Sequence, residues 1–209
     1  MESKADAHEA KRQKISNDEQ ALNRARNELD FLRTVGKLKN LKRTGWVKKD
    51  VNLPESVSDH MYRMGMCSFL IQDPSIDKAR CMKIALVHDL AEALAGDITP
   101  HCGVSDADKH AKEEAALDEI VGQIQNEEIA KEIKDLWLEY ENVSTPEAAM
   151  VKDFDKFEMI LQADEYECAQ EDMDLSDFFE STRGVFKSDM VKALDTELRS
   201  QRSQRLEEK

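Results

Sequence analysis

The segment ALVHDLAEALAGD, residues 85–97, sets His88, Asp89, Glu92 and Asp97 among alanine, leucine, valine and glycine. Its place in the chain predicts the end of a helix of about residues 77–95 that stops at Gly96. On a helix His88 and Asp89 project about 100° apart, so both reach one ion seated between them over the helix surface. Glu92 lies four residues after His88 and three after Asp89, on the same face. The polar edge of an ordinary helix would read the same way. With 5 His among 209 residues, chance alone supplies about 0.5 His-Asp dipeptides, so the pair decides nothing by itself.

Working outward, the helical period continues in both directions. Leu22, Leu29, Leu32 and Val35 predict a first helix over about 18–40. RTGWVKKDVNLPES follows as a loop, with Gly45 and Pro54 as breakers. Ser56 or Ser58 can cap a helix of about 57–72, which carries His60 and ends at Asp73-Pro74. GDITPHCGVS reads as a loop, and Ser105 caps a helix of about 105–125. A shorter helix runs through LWLEYE. Thr145-Pro146-Glu147 starts another, to about residue 170, that carries Asp155. FFEST and the segment from 187 onward complete the helices, and no convincing strand or internal repeat appears. The expected fold class is all-α: a single domain over 18–200, a disordered arm at 1–17 and a tail at 201–209.

Composition narrows the function. The net charge of −14 argues against DNA or RNA as partner, because phosphate-backbone affinity rests on clustered Lys and Arg. A small anionic substrate remains open, since a metal supplies positive charge locally. Apolar runs fall far short of the 18 or so residues of a membrane span. Cys67, Cys81, Cys102 and Cys168 form no CxxC pair and read as free thiols in a reducing, cytoplasmic setting. KRQK near the start is a weak nuclear signal that leaves nuclear access open.

Two further positions bear on the opening segment. His60 sits within the apolar pattern Val57, Met61, Met64, Phe69, where an imidazole needs a partner. Asp155 lies beside the stripe Met150, Phe154, Phe157, Leu161, where a carboxylate is costly unless it is paired or binds a metal. A backbone carbonyl for His60, and Lys152 or Lys156 for Asp155, are the bland partners. Together His60, His88, Asp89 and Asp155 make an N/O ligand set without thiolate. Such a set suits Mn²⁺, Co²⁺, Fe²⁺ or Mg²⁺ with open positions before a structural zinc. Open positions are what metal-assisted hydrolysis of a phosphoester needs. Glu92 and Asp97 remain as acid/base groups or as holders of a second hard cation.

The order His60, His88-Asp89, Asp155 resembles the HD-domain metal-dependent phosphohydrolase superfamily. RTGWV, PESVSDHMYRM, HDLAEALAGDITP and FDKFEMILQADEYE are similar to the HD domain-containing protein 2 type of 5′-deoxynucleotidase, whose bacterial members are the YfbR-like enzymes, over roughly residues 20–185. The resemblance implies an HD-domain helical bundle, usually homodimeric, that removes the 5′-phosphate from deoxyribonucleoside monophosphates. It implies His60, His88, Asp89 and Asp155 as ligands of a divalent cation (Mn²⁺, Co²⁺ or Mg²⁺), Asp89 being needed for catalysis too. In the eukaryotic branch a second cation falls on Glu92, Asp97 and the carbonyl of Ile98. In bacterial members the position of Glu92 is catalytic, and both roles stay open for it here. Trp46 matches a tryptophan that crowds out a ribose 2′-hydroxyl, and equally suits a core or lid position. Bacterial relatives carry an arginine where this chain has Gly45, which leaves Arg43 for the phosphate. Two alternatives compete: an HD enzyme for a cyclic nucleotide or a triphosphate, and a non-catalytic helical scaffold.

Overall fold

The computed structural model describes residues 4–99 and 102–208, so Pro100 and His101 of the GDITPHCGVS loop, like the ends of the arm and tail, lie outside the described residues. Helices account for the architecture, and no strand forms among the described residues; Lys42 and Ser56 meet in one isolated antiparallel bridge. Helix α1 spans Lys4–Val35 and passes into a 3-10 turn at Gly36–Lys39. Within the loop after it, α2 (Thr44–Lys48) carries Trp46. Ser56 is the cap of α3 (Val57–Cys67): its hydroxyl accepts the Asp59 N–H while the Asp59 carboxylate accepts the Ser56 N–H. Asp77 caps α4 (Lys78–Val87), and α5 is the short Glu92–Ala95. Ser105 caps α6 (Asp106–Val121), Asn126 caps α7 (Glu127–Asn142), and Thr145, with Pro146 in the first turn, caps α8 (Pro146–Ala169). The chain ends with α9 (Ser176–Ser181) and α10 (Asp189–Glu207), the latter capped by Ser188.

The structure corrects one helix boundary and adds detail at the chain's two ends. The helix expected over 77–95 breaks at His88–Ala91, where Glu92, Ala93 and Leu94 donate to carbonyls three residues back. Apolar periodicity runs through the break, so composition hides it. The arm expected at 1–17 is helical from Lys4, because Ala, Glu, Lys, Gln and Arg favour helix without needing a core. On α1 Leu22, Leu29 and Leu32 are exposed, as is Phe69 on the chain after α3. The end of the chain, read as a fraying helix or tail, is helical to Glu207, with Arg202 paired to Glu167 and Arg205 to Asp164.

Two hydrophobic clusters build the interior. One gathers Met64, Ile84, Phe154, Ile160 and Phe179, and the other Leu38, Val57, Met61, Leu90, Leu117 and Trp137. Helix α3 contributes Met64 to the first and Val57 and Met61 to the second, so His60 falls where they meet. The chain from α4 to α5 does the same, with Ile84 and Ala85 in one and Leu90 and Ala91 in the other. His88 and Asp89 therefore lie on the seam between the clusters.

Candidate metal centre

Both imidazoles are tied from behind and turned toward each other. His88 Nδ1 lies 2.9 Å from the Ala85 carbonyl, which only accepts, so that nitrogen carries the hydrogen. His60 Nδ1 lies 2.5 Å from Glu158 Oε2, and Glu158 is fully buried and held by Arg63 Nε at 3.0 Å. With both Nδ1 atoms occupied, the Nε2 lone pairs point inward, the arrangement of metal-binding histidines. His60 Nε2 and His88 Nε2 are buried without a hydrogen-bond partner of good geometry. Each is near a carboxylate, 3.2 Å to Asp155 Oδ1 for His60 and 3.1 Å to Asp89 Oδ2 for His88. Ligand atoms of His60, His88 and Asp155 lie within 4.8 Å of one another, and Asp89 Oδ2 is 3.9 Å from His60 Nε2. Asp155 pairs with neither Lys152 nor Lys156; it accepts the Tyr140 hydroxyl at 2.6 Å. Two inward lone pairs and two carboxylates fit a divalent cation better than a set of internal hydrogen bonds.

Charge sharpens the picture. Burial and Arg43 push the His60 imidazole down, but the Asp155 and Glu158 carboxylates beside it outweigh them and raise it to about 9. Against the upward push of burial, the adjoining His60 ring and the charges of His88 and Arg43 hold Asp155 well below the usual carboxylate range. Asp89 is likewise lowered despite burial, by His88 and Arg43. Burial and the charges of Asp89 and Asp97 push Glu92 the other way, well above that range, and its Oε2 is buried without a partner.

Glu92, Asp97 and Ile98 line the same cavity of about 270 Å³ as His88, Asp89 and Asp155. Asp97 is already engaged: its carboxylate accepts the Thr44 N–H at 2.5 Å and its carbonyl accepts the Thr44 hydroxyl at 2.8 Å. This clasp sets Arg43, whose Nη1 reaches Asp89 Oδ2 at 3.2 Å. Trp46 is buried, its indole N–H given to Glu55 Oε1 at 2.8 Å, with Tyr166 against its edge. Trp46 is thus an inner wall and not an exposed lid.

Sequence reasoning missed several residues. Lys109, Lys152 and Lys156 join Arg43 around the cavity, a cationic group assembled from α6 and α8 that no run of basic residues announces. Lys152 faces Glu141 at 3.8 Å and Lys109 faces Glu113 at 3.4 Å. Glu158 had a signal: it follows Asp155 by three residues, a second acid on one face of an apolar helix. Tyr140 had none, since its role depends on how α7 meets α8.

The family model described as HD domain matches residues 35–194. The chain is 49% identical over 188 residues to the 5′-deoxynucleotidase HDDC2 of Dictyostelium discoideum, covering 84% of this chain and 98% of that one. It is 47% identical over 180 residues to the human protein of that name, covering 86% and 88%. Among solved structures, a Pyrococcus horikoshii protein superposes with a TM-score of 0.67 at 32% identity, over 82% of this chain and 96% of that one.

Proposed function

From the premise that the chain belongs to the HD-domain family, among the 5′-deoxynucleotidases, we propose that it hydrolyses 2′-deoxyribonucleoside 5′-monophosphates to deoxynucleoside and phosphate. The observation that carries this reading is the pair of outward-tied imidazoles whose Nε2 atoms converge on Asp89 and Asp155 in the cavity lined by Arg43. His60, His88, Asp89 and Asp155 would hold a divalent cation, and nitrogen and oxygen donors without thiolate favour Mn²⁺, Co²⁺ or Mg²⁺. When bound, that cation supplies positive charge and Lewis acidity at the phosphate.

The chain's own residues do the rest. Arg43, set by the clasp of Asp97 on Thr44, would grip phosphate oxygens, and Lys109 and Lys152 would add charge around the same cavity. Glu92, buried and pushed upward by burial and the charges of Asp89 and Asp97, would give a proton to the leaving 5′-oxygen. Asp97 with the Ile98 carbonyl would serve a second cation if the Thr44 clasp opened, and Glu92 would then change role. Trp46, braced by Glu55, would back the wall that a 2′-hydroxyl meets. We place the protein in the cytoplasm, with nuclear access left open, in keeping with four free cysteines. We further read it as a homodimer, in keeping with the exposed Leu22, Leu29 and Leu32 of α1.

The test is phosphate release from dAMP, dTMP and AMP with Mn²⁺, Co²⁺ or Mg²⁺ added. Release from the deoxynucleotides well above that from AMP is expected. Equal release from AMP would remove the sugar specificity, and none from any deoxynucleotide would remove the function.

A further inference from the structure

A second cavity, of about 300 Å³, adjoins the metal cavity. The two share Arg43, Asp97, Thr99 and Met159 as a common wall, so a ligand with phosphate at Arg43 extends its other end into the second space. That space differs in chemistry. Its wall includes the ring of Phe178, which lies 4.5 Å from the Trp46 ring at 37° and so rests on a rigid, buried support. Trp46 itself is only 1% exposed and offers little surface, whereas Phe178 is half-buried and turned to the cavity. Gly45 explains how the ring gets there. A Cβ at that position would already sit 3.5 Å from two ring carbons of Phe178, so a longer side chain would press on the ring. At the rim, Lys49 and Asp177 pair at 2.8 Å and supply polar groups of both signs.

An aromatic face on a rigid backing, a polar rim and a phosphate site one wall away fit the two ends of a nucleotide. We propose that Phe178 is the platform on which the nucleobase stacks, and that it makes the enzyme read a nucleotide and not any phosphomonoester. The proposal rests on the deoxynucleotidase reading for the position of the phosphate. Stacking tolerates every base, so the platform favours nucleotides as a class, and selection among bases falls to the polar rim.

The test compares kcat/KM for dAMP and for 2-deoxyribose 5-phosphate, which lacks the base, in the Mn²⁺-loaded wild type, Phe178→Leu and Phe178→Tyr. A second readout needs no metal: the shift of the Trp46 indole N–H signal on adding deoxyadenosine. The wild type should prefer dAMP. Phe178→Leu should shrink that preference at least about fivefold, the lower bound for a lost base stack, and Phe178→Tyr should restore it. Deoxyadenosine should move the Trp46 signal in the wild type and the tyrosine variant but not in the leucine variant. A preference unchanged by Phe178→Leu, or an equal loss on both substrates in both variants, overturns the platform. A wild type inactive on dAMP and on the sugar phosphate overturns the deoxynucleotidase reading instead, while the Trp46 signal still decides whether the base binds.

Discussion

Glu158 does not line the metal cavity, yet it sets the direction of His60. Glu158→Gln keeps the shape but removes the charge that the imidazole N–H and Arg63 both face. Loss of such an outer partner costs roughly 10- to 100-fold in metal affinity, and titration with Mn²⁺ against a fluorescent chelator will show it; an unchanged Kd would reduce Glu158 to packing. Asp89→Ala removes the carboxylate shared by His88 and Arg43, and should abolish phosphate release while far-UV circular dichroism stays that of the wild type. Glu55 gives a pH prediction. Burial and the nearby charge of Glu158, against the Trp46 bond, raise it from its ordinary 4.5 to about 7. The folded state therefore prefers the protonated form: the stabilisation is full below pH 4.5 and is lost as pH rises through about 7. Glu55→Gln should match the wild type near pH 4 and exceed it above pH 8 in urea unfolding. A larger gap at low pH would refute the assignment.

At the scale of elements, the turn between α5 and Asp97 depends on one backbone conformation. Gly96 has φ +79°, which side chains adopt only under strain. Gly96→Ala should cost about 1–3 kcal/mol, seen as a lower Tm, and should raise KM by disturbing the clasp that Asp97 makes on Thr44. A variant as stable and active as the wild type would show the turn to be tolerant. Capping made much of the helix order legible: Ser105, and Thr145 with Pro146, announce α6 and α8 through the chemistry of unsatisfied N–H groups. The interruption at His88 was not legible, because Ala85, Leu90, Ala91 and Ala93 stay apolar through it and only the change in hydrogen bonding marks the break. The candidate ligands were visible as polar side chains in apolar surroundings, and the structure brings His60, His88 and Asp155 together. Apart from Glu158, their supports were not, since the Arg43 clasp and the Tyr140 contact depend on how separate segments pack.

Over the whole molecule, a chain of net charge −14 gathers Arg43, Lys109, Lys152 and Lys156 around one cavity. Substrate capture by these cations should weaken with ionic strength, so KM for dAMP should rise between 50 and 300 mM NaCl with kcat little changed. A KM indifferent to salt would place the phosphate elsewhere. The seam between the hydrophobic clusters, which His60, His88 and Asp89 occupy, carries a further consequence. With His60, His88, Asp89 and Asp155 as the proposed ligands, groups from both sides of it would have to be in register for a cation to bind, and binding energy would become mechanical cohesion between the two halves of the interior. Chelation should then lower Tm and speed amide hydrogen exchange first around residues 84–95, where the ladder is already tightened and short. The catalytic centre would serve as the rivet of the domain, and heat would silence the enzyme before it unwound the helices.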